Sequence, residues 1–199
     1  MITFIIAVFL LLTTPGPGVL TLAGVGSAYG YRHGFRYLIG LLIGQNIVAI
    51  AVATGLAAIL LAAPIIRNIL LVLSVSYMFF LAYKIAFSGS KIAFIGASKS
   101  PGIRGGIILQ IINPKAYVVN TSLFTGFSIW PDSFTTEITF KFFALNLIWL
   151  CIHILWLAMG VTIHRLSLSA RIQHFINISM AIALIAVVGL ALWAQFYAN

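Results

Sequence analysis

Two short motifs in this sequence interrupt apolar segments with proline and carry polar groups at the interruption. The first is Thr14-Pro15-Gly16-Pro17-Gly18, in which each proline removes an amide donor and each glycine adds backbone freedom. A regular helix cannot continue through it, and the carbonyls it frees are tolerated in an apolar surrounding only inside protein or beside a polar cavity. The motif therefore predicts either a small-solute site or a simple packing kink.

The second motif is Asn113-Pro114-Lys115, which adds an amide side chain and a lysine to a helix break. Lys115 lies roughly 16 Å along a helix from Arg104, so its charge is expected well inside the apolar segment. A lysine at this depth is a candidate functional residue. The alternative is that its long side chain extends to the membrane interface and has no such role. Half-helix ends at the two breaks would offer amide donors to a carboxylate and carbonyls to an ammonium. That combination suits a zwitterion.

Several amide side chains also lie within apolar segments. Gln45 and Asn46 can form hydrogen bonds to a ligand or to another helix, and both roles stay open. Gln110, Asn120 and Asn146 have the same two options, and for these three we favour a structural role. The candidate binding residues are therefore those of the two proline motifs together with Gln45 and Asn46.

His153 is the only histidine well inside an apolar segment. It is either a hydrogen-bonded helix-packing residue or a proton carrier, and Lys115 is the other candidate for proton coupling. The sequence has no GxxxxGK[ST] phosphate loop, no HExxH and only one cysteine, Cys151. ATP hydrolysis, metal-dependent proteolysis and intramolecular disulfide chemistry therefore have no support. We expect no enzyme activity, no cofactor and no metal site.

The elements that position these residues are expected to be membrane helices. Hydrophobic residues make up 62% of the 199 and charged residues only 7%, which is too little polar surface for a soluble domain of this size. At roughly 20 residues for each span, the chain has room for about six. The spans are predicted at residues 2–26, 38–63, 67–88, 104–129, 138–163 and 174–197. The chain start lacks a basic region and a cleavage pattern, so the first span is expected to stay.

The distribution of positive charge predicts the orientation of these spans. Eight of the eleven Lys and Arg lie in the first, third and fifth connections, whereas the second and fourth hold only Arg67 and Lys141. The positive-inside rule therefore puts those three connections in the cytoplasm and both termini outside. The formal charge of +9 then faces cytoplasm and anionic lipid, and no nucleic-acid partner is expected.

The chain also divides into two halves of similar length. A polar linker at residues 89–104 separates a three-helix unit at 1–88 from a second at 105–199. Because three is an odd number, related halves would have opposite orientations, as in many transporters with inverted repeats. We predict an all-α polytopic membrane protein, a single membrane domain of six transmembrane helices in two inverted repeats. Small residues in span two, including Gly40 and Gly44, fit helix packing within the chain or in a homodimer.

The order of these motifs resembles the LysE/RhtB family of bacterial amino-acid exporters. The resemblance rests on the two proline motifs, the glycines from residue 30 to residue 44, Tyr77, and Ala116 after Lys115. It implies a six-helix carrier of the bacterial inner membrane that exports amino acids and is driven by the proton gradient. The residues that match the family's signature breaks are Pro15, Gly16, Pro17, Asn113, Pro114 and Lys115.

The chain departs from the family pattern at three places. Gly18 stands where many members have Asn or Asp, Gln45 stands where exporters of basic amino acids tend to have an acid, and Thr125-Gly126-Phe127 replaces a frequent Pro-Gln-Phe. A cationic side chain would find no carboxylate in the predicted spans to offset its desolvation. We therefore expect a neutral cargo resembling threonine, homoserine or leucine. The rival interpretation is a non-transporting assembly or structural subunit that uses its polar groups only for packing.

Overall fold

The computed structural model describes residues 1–57 and 100–165 continuously, with isolated or paired positions between 63 and 83 and between 169 and 189. In the continuous ranges the regular structure is entirely helical. The helices are α1 (Ile2–Thr13), α2 (Pro17–Ala53), α3 (Gly102–Ile112), α4 (Pro114–Thr125) and α5 (Phe134–Arg165). Tyr77, residues 89–99 of the predicted linker and most of predicted spans three and six lie outside the described residues. The six-span count and the two inverted repeats therefore stay predictions.

Two of the described helices are long and apolar enough to cross a membrane. They are Pro17–Ala53 and the Phe134–Thr162 part of α5. On α2, large apolar side chains recur at three- or four-residue spacing on the outer face, namely Ile39, Ile43, Ile47 and Ile50, and all four are exposed. This spacing places them on one side of the helix. An outer face of this kind is suited to contact with lipid.

Both helix breaks lie at the proline motifs. Gly16 separates α1 from α2 in an extended conformation (φ −154°, ψ 179°), and Pro17 is the first residue of α2, where its missing amide leaves no bond unmade. Asn113 alone separates α3 from α4 (φ −80°, ψ 107°). Its side-chain oxygen accepts the backbone amide of Lys115 at 3.1 Å and so caps α4.

The connection between the first two spans is much shorter than the expected residues 27–37. Gly30 (φ 73°, ψ −177°) interrupts α2 with a left-handed φ that favours glycine. Tyr37 Oη donates to Thr21 Oγ1 at 3.1 Å, whereas these residues would lie roughly 24 Å apart in a straight helix. The chain therefore folds back at Gly30 into two helical stretches, 17–29 and 31–53. A one-residue turn replaces the expected loop.

Lys141 belongs to a helix interior and not to a connection, so that assignment was wrong. α5 begins at Phe134, four residues before the predicted start, and Lys141 is 1% exposed. Its ammonium donates to the carbonyls of Phe124 at 3.0 Å and Phe127 at 2.6 Å, and it pairs with Glu137 at 2.6 Å. Glu137 also accepts two backbone amides of the α4–α5 loop, at 2.9 Å each. These partners compensate the desolvation that a buried lysine would otherwise suffer.

Glycines allow α2 to approach α3 closely. A Cβ on Gly44 would lie 2.7 Å from Gln110 Cβ, and one on Gly106 would lie 2.5 Å from the Tyr37 carbonyl oxygen. Gly40 faces the backbone of Ile103 in the same way. Gly40 and Gly44 of span two thus pack within the chain, against α3. This packing brings Gln45 on α2 opposite Gln110 on α3.

Candidate functional site

The two helix breaks meet in space although they lie about half the chain apart in sequence. Lys115 Nζ donates a hydrogen bond to the carbonyl oxygen of Thr14, which is 101 residues earlier. Thr14 follows the end of α1, where helix geometry leaves carbonyls without intrahelical partners. The break in one segment therefore supplies the acceptor, and the break in the other supplies the cation.

The glycines of the first motif leave room for the groups of the second. A Cβ on Gly16 would lie 2.9 Å from Lys115 Cδ and 3.4 Å from Lys115 Nζ. A Cβ on Gly18 would lie 3.6 Å from both Gln110 Oε1 and His153 Nε2. The side chain of Lys115 can thus pass Gly16 only because that residue has no side chain. Gly18 leaves an open position in front of two polar atoms.

A continuous series of hydrogen bonds between side-chain amides connects α2, α3 and α4. Asn113 Nδ2 donates to Gln110 Oε1 at 2.9 Å, and Gln110 Nε2 donates to Gln45 Oε1 at 3.2 Å. Gln45 Nε2 then donates to Asn120 Oδ1 at 3.0 Å, and Asn120 Nδ2 donates to the Ala116 carbonyl at 2.7 Å. All four amides are at least 94% buried. We refer to Asn113, Gln110, Gln45 and Asn120 as the amide chain.

His153 approaches the same place from α5. It is 4% exposed, and its Nδ1 lies 2.8 Å from the Trp149 carbonyl oxygen. Its ring is stacked on that of Trp149, with centroids 3.5 Å apart and planes at 17°. The stacking and the Nδ1 contact fix the ring, so that the other nitrogen, Nε2, faces Gly18.

These groups surround a small cavity of about 40 Å³. That volume holds only a few water molecules. Its polar and glycine lining consists of Thr14, Gly16, Gly18, Gln45, Gln110, Asn113, Lys115 and His153. Its apolar lining consists of Leu12, Val19, Ala116, Val119 and Trp149. The lining therefore combines one amine, one imidazole and three amides with an apolar wall.

The structure brings most of the expected binding residues to this cavity. Gly16, Gly18, Gln45, Asn113 and Lys115 line it, as does the proton-coupling candidate His153. Pro15, Pro17 and Pro114 lie at the two breaks but are not among the lining residues.

Asn46 lies elsewhere. Its amide exchanges two hydrogen bonds with Asn146 on α5, at 2.8 and 3.0 Å. The pair borders a separate, more open groove lined also by Leu42, Phe142, Phe143, Leu147 and Leu150. Asn46 is thus adjacent to Gln45 in sequence but faces a different part of the molecule.

Gln110 is the lining residue that the sequence interpretation assigned to packing. It precedes Asn113 by three residues, a spacing that puts two helical side chains on the same face. This spacing was the signal that could have connected Gln110 with the second motif. Thr14, which we had treated only as part of a break, contributes its backbone carbonyl.

In the described part of the chain, no three residues among His, Cys, Asp and Glu lie close enough together to hold a metal ion. The two carboxylates of the described chain, Asp132 and Glu137, lie outside the cavity lining. Lys115 is therefore the positively charged residue of the lining, and His153 is its other titratable residue. The remaining lining residues are neutral. Its amide oxygens and backbone carbonyls are the available acceptors.

The long apolar helices and the polar cavity at the two helix breaks agree with a helical membrane protein. A family model described as LysE type translocator matches residues 9–195. The chain belongs to this family, which confirms the resemblance drawn from the two proline motifs. Because the family consists of translocators, the prediction that the chain is not an enzyme is confirmed as well.

Individual relatives agree with the family model. A protein named leucine efflux protein from Enterobacter sp. (strain 638) is 26% identical over 130 residues, which cover 63% of this chain and 62% of the relative. A leucine efflux protein from Klebsiella pneumoniae is 24% identical over 151 residues, covering 73% and 71%. One from Salmonella typhimurium is 25% identical over 130 residues, covering 63% and 61%. The alignments thus span roughly three fifths to seven tenths of the relatives. No solved structure matches the chain.

Proposed function

We propose that this chain is a secondary carrier that exports neutral amino acids across the bacterial inner membrane. The observation that carries the proposal is the meeting of two broken helices at a cavity lined by Lys115. A packing kink would need neither a lysine nor a series of buried amides beside a cavity. The names of the relatives, leucine efflux proteins, support an amino acid as cargo.

Lys115 is the residue that we assign to the substrate carboxylate. In the structure its ammonium donates to the Thr14 carbonyl, which is a neutral acceptor. A carboxylate would add the attraction of a full opposite charge at the same donor, which a carbonyl does not provide. An entering amino acid can therefore displace Thr14 as the partner of Lys115. Because the cavity has only about 40 Å³, binding also requires the two breaks to move apart.

The charge of the lining supports a neutral side chain on the cargo. The cavity lining has no carboxylate among the residues that the structure describes. A lysine or arginine side chain would lose its hydration there without gaining an anionic partner. Leucine, whose side chain can contact Leu12, Val19 and Val119, has no such cost. Neutral amino acids with branched or short side chains fit this lining best.

Proton coupling belongs to the same proposal, with His153 and Lys115 as the two groups that can carry the proton. Both line the cavity, so a change in protonation of either one alters the surroundings of the cargo directly.

The proposed orientation of the carrier has both termini in the periplasm, as the distribution of Lys and Arg indicates. Reporter fusions at the C-terminus should then give a periplasmic signal.

The proposal is tested by efflux from preloaded cells. Cells expressing the chain, its Lys115→Ala variant or no additional protein are loaded with labelled leucine, threonine or lysine. We expect faster efflux of leucine or threonine with the wild-type chain, little change for lysine, and loss of the gain in Lys115→Ala. An uncoupler should reduce the gain if the proton gradient drives export. Efflux unchanged across a broad panel of amino acids would instead favour a non-transporting subunit.

A further inference from the structure

The amide chain ends at a backbone group on each side, the N–H of Lys115 and the carbonyl of Ala116. These two groups determine which atom of each side-chain amide is the nitrogen and which is the oxygen. The Lys115 backbone N–H can only donate, so the Asn113 atom 3.1 Å away must be the oxygen. Its other atom is then the nitrogen, which requires the facing atom of Gln110 to be Oε1.

The same logic holds from the far end. The Ala116 carbonyl can only accept, so the Asn120 atom 2.7 Å away is its nitrogen. Asn120 therefore presents its oxygen to Gln45, and Gln45 presents its oxygen to Gln110. Both ends give the same result for Gln110, namely nitrogen towards Gln45 and oxygen towards Asn113 and Gly18. If the Gln110 amide were reversed, its oxygen would face the oxygen of Gln45 and its nitrogen would face the nitrogen of Asn113.

A similar argument applies to His153. Its Nδ1 lies 2.8 Å from the Trp149 carbonyl, which can only accept, so Nδ1 carries a hydrogen. In the neutral ring Nε2 is then an acceptor. Gln110 Oε1 and His153 Nε2 are therefore two acceptors of the cavity lining beside Gly18, each 3.6 Å from the position that a Cβ of Gly18 would take. Two neutral acceptors so close together on a cavity wall are suited to a donor, and an ammonium is the strongest donor on an amino acid.

We propose that Gln110 Oε1 and His153 Nε2 together bind the α-ammonium of the cargo, with Gly18 keeping that position open. This proposal rests on the proposed function and extends it to a second pole of the binding site. Lys115, beside Gly16, is the pole for the carboxylate. Both poles line the same cavity, so one zwitterion can contact both of them.

The proposal distinguishes between ligands that differ at one pole only. In proteoliposomes containing the full chain, exchange is measured with leucine, with leucinamide, which lacks the carboxylate, and with 4-methyl-2-hydroxypentanoate, which has a hydroxyl in place of the ammonium. We expect the wild-type chain to exchange leucine with a lower KM than either analogue. Equal KM values for leucine and the hydroxy acid would overturn the proposal, whereas no exchange of any amino acid would overturn the proposed function itself.

Variants of Gln110 separate ammonium binding from a purely structural role. Gln110→Met has a similar length without an acceptor, and we expect it to raise the KM for leucine by about tenfold or more, while the KM for the hydroxy acid changes little. Gln110→Glu keeps an oxygen at the cavity, and its KM for leucine should be lower than that of Gln110→Met. A structural role predicts the opposite for Gln110→Glu, since a carboxylate cannot donate to Gln45 and carries a buried charge.

Asn146→Leu is the matched control, because Asn146 is an interhelical amide outside the cavity. It should leave the KM of leucine unchanged. If Gln110→Met does not reach the membrane, the same contrast is made with His153→Phe and His153→Gln, of which only the second retains an acceptor. The proposal is overturned if the acceptor-free variant loses leucine and the hydroxy acid equally, or if the acceptor-retaining variant is no better.

Discussion

Lys115 donates its ammonium to the carbonyl of Thr14, so the lysine at the second helix break is bonded to the end of the other broken segment. The bond provides the cation with an acceptor beside a cavity whose lining has no carboxylate among the described residues. It also makes Thr14 a competitor for any anion that reaches the cavity. Affinity for a carboxylate is therefore the difference between two hydrogen bonds and not the full strength of one.

Replacing Lys115 with methionine should remove the carboxylate pole while keeping most of the side-chain volume. We expect the KM for leucine to rise by at least about tenfold, because a hydrogen bond to a charged group is lost. Arg104→Met is the control, since Arg104 is an exposed base on the preceding helix α3. Exchange kinetics in proteoliposomes measure both variants. A normal KM in Lys115→Met would contradict the assignment of this residue.

A methyl group at Gly16 should displace Lys115. The added Cβ would lie 2.9 Å from Lys115 Cδ, closer than atoms in contact can approach, so the lysine must move from Thr14. We expect Gly16→Ala to reach the membrane but to exchange leucine several-fold more slowly, as overpacking of about 1–3 kcal/mol would produce. Gly189→Ala is the matched control, because no atom of the part of the chain that the structure describes lies within 4 Å of its added Cβ. Equal rates for the two variants would show that Lys115 tolerates displacement.

Removing Lys141 should destabilise the protein. Lys141→Met leaves Glu137 and the carbonyls of Phe124 and Phe127 without their shared donor. The two carbonyls and the carboxylate lose this donor together, so the melting temperature in detergent should fall.

The double variant Lys141→Met with Glu137→Gln tests whether the pair acts as a unit. Its destabilisation should be smaller than the sum of the two single effects, because the second substitution removes a carboxylate already left unpaired. Simple additivity would indicate that Lys141 acts through the two carbonyls alone. Melting curves of the four proteins, measured at the same detergent concentration, provide this comparison.

The turn at Gly30 should tolerate few residues. Its φ of 73° with ψ −177° lies in a region that is essentially restricted to glycine, where another residue costs about 1–3 kcal/mol, and no atom of the described residues lies within 4 Å of an added Cβ. We expect similarly lowered melting temperatures for Gly30→Ala and Gly30→Asn, because asparagine tolerates the left-handed helical region but not this combination of φ and ψ. If both variants melt like the wild type, the turn is not limited by its φ.

The sequence was sufficient for the helix breaks, because proline chemistry is local and does not depend on the rest of the fold. It was also sufficient for Lys115 and Gln45 as cavity residues. It did not separate Gln45 from Asn46, since only helix rotation decides that one faces Gln110 and the other Asn146. Nor did it indicate that Lys141 is buried, because its acceptors include two backbone carbonyls that no side-chain pattern reveals.

The amide chain also determines how its members can move. Reversing one amide alone would set N–H against N–H on one side and oxygen against oxygen on the other, so the four must reverse together or not at all. Reversal of all four is opposed at both ends, by the Lys115 N–H and the Ala116 carbonyl. The direction of the α4 backbone therefore determines that Gln110 presents its oxygen, an acceptor, to the cavity. This orientation persists as long as the first turn of α4 is intact.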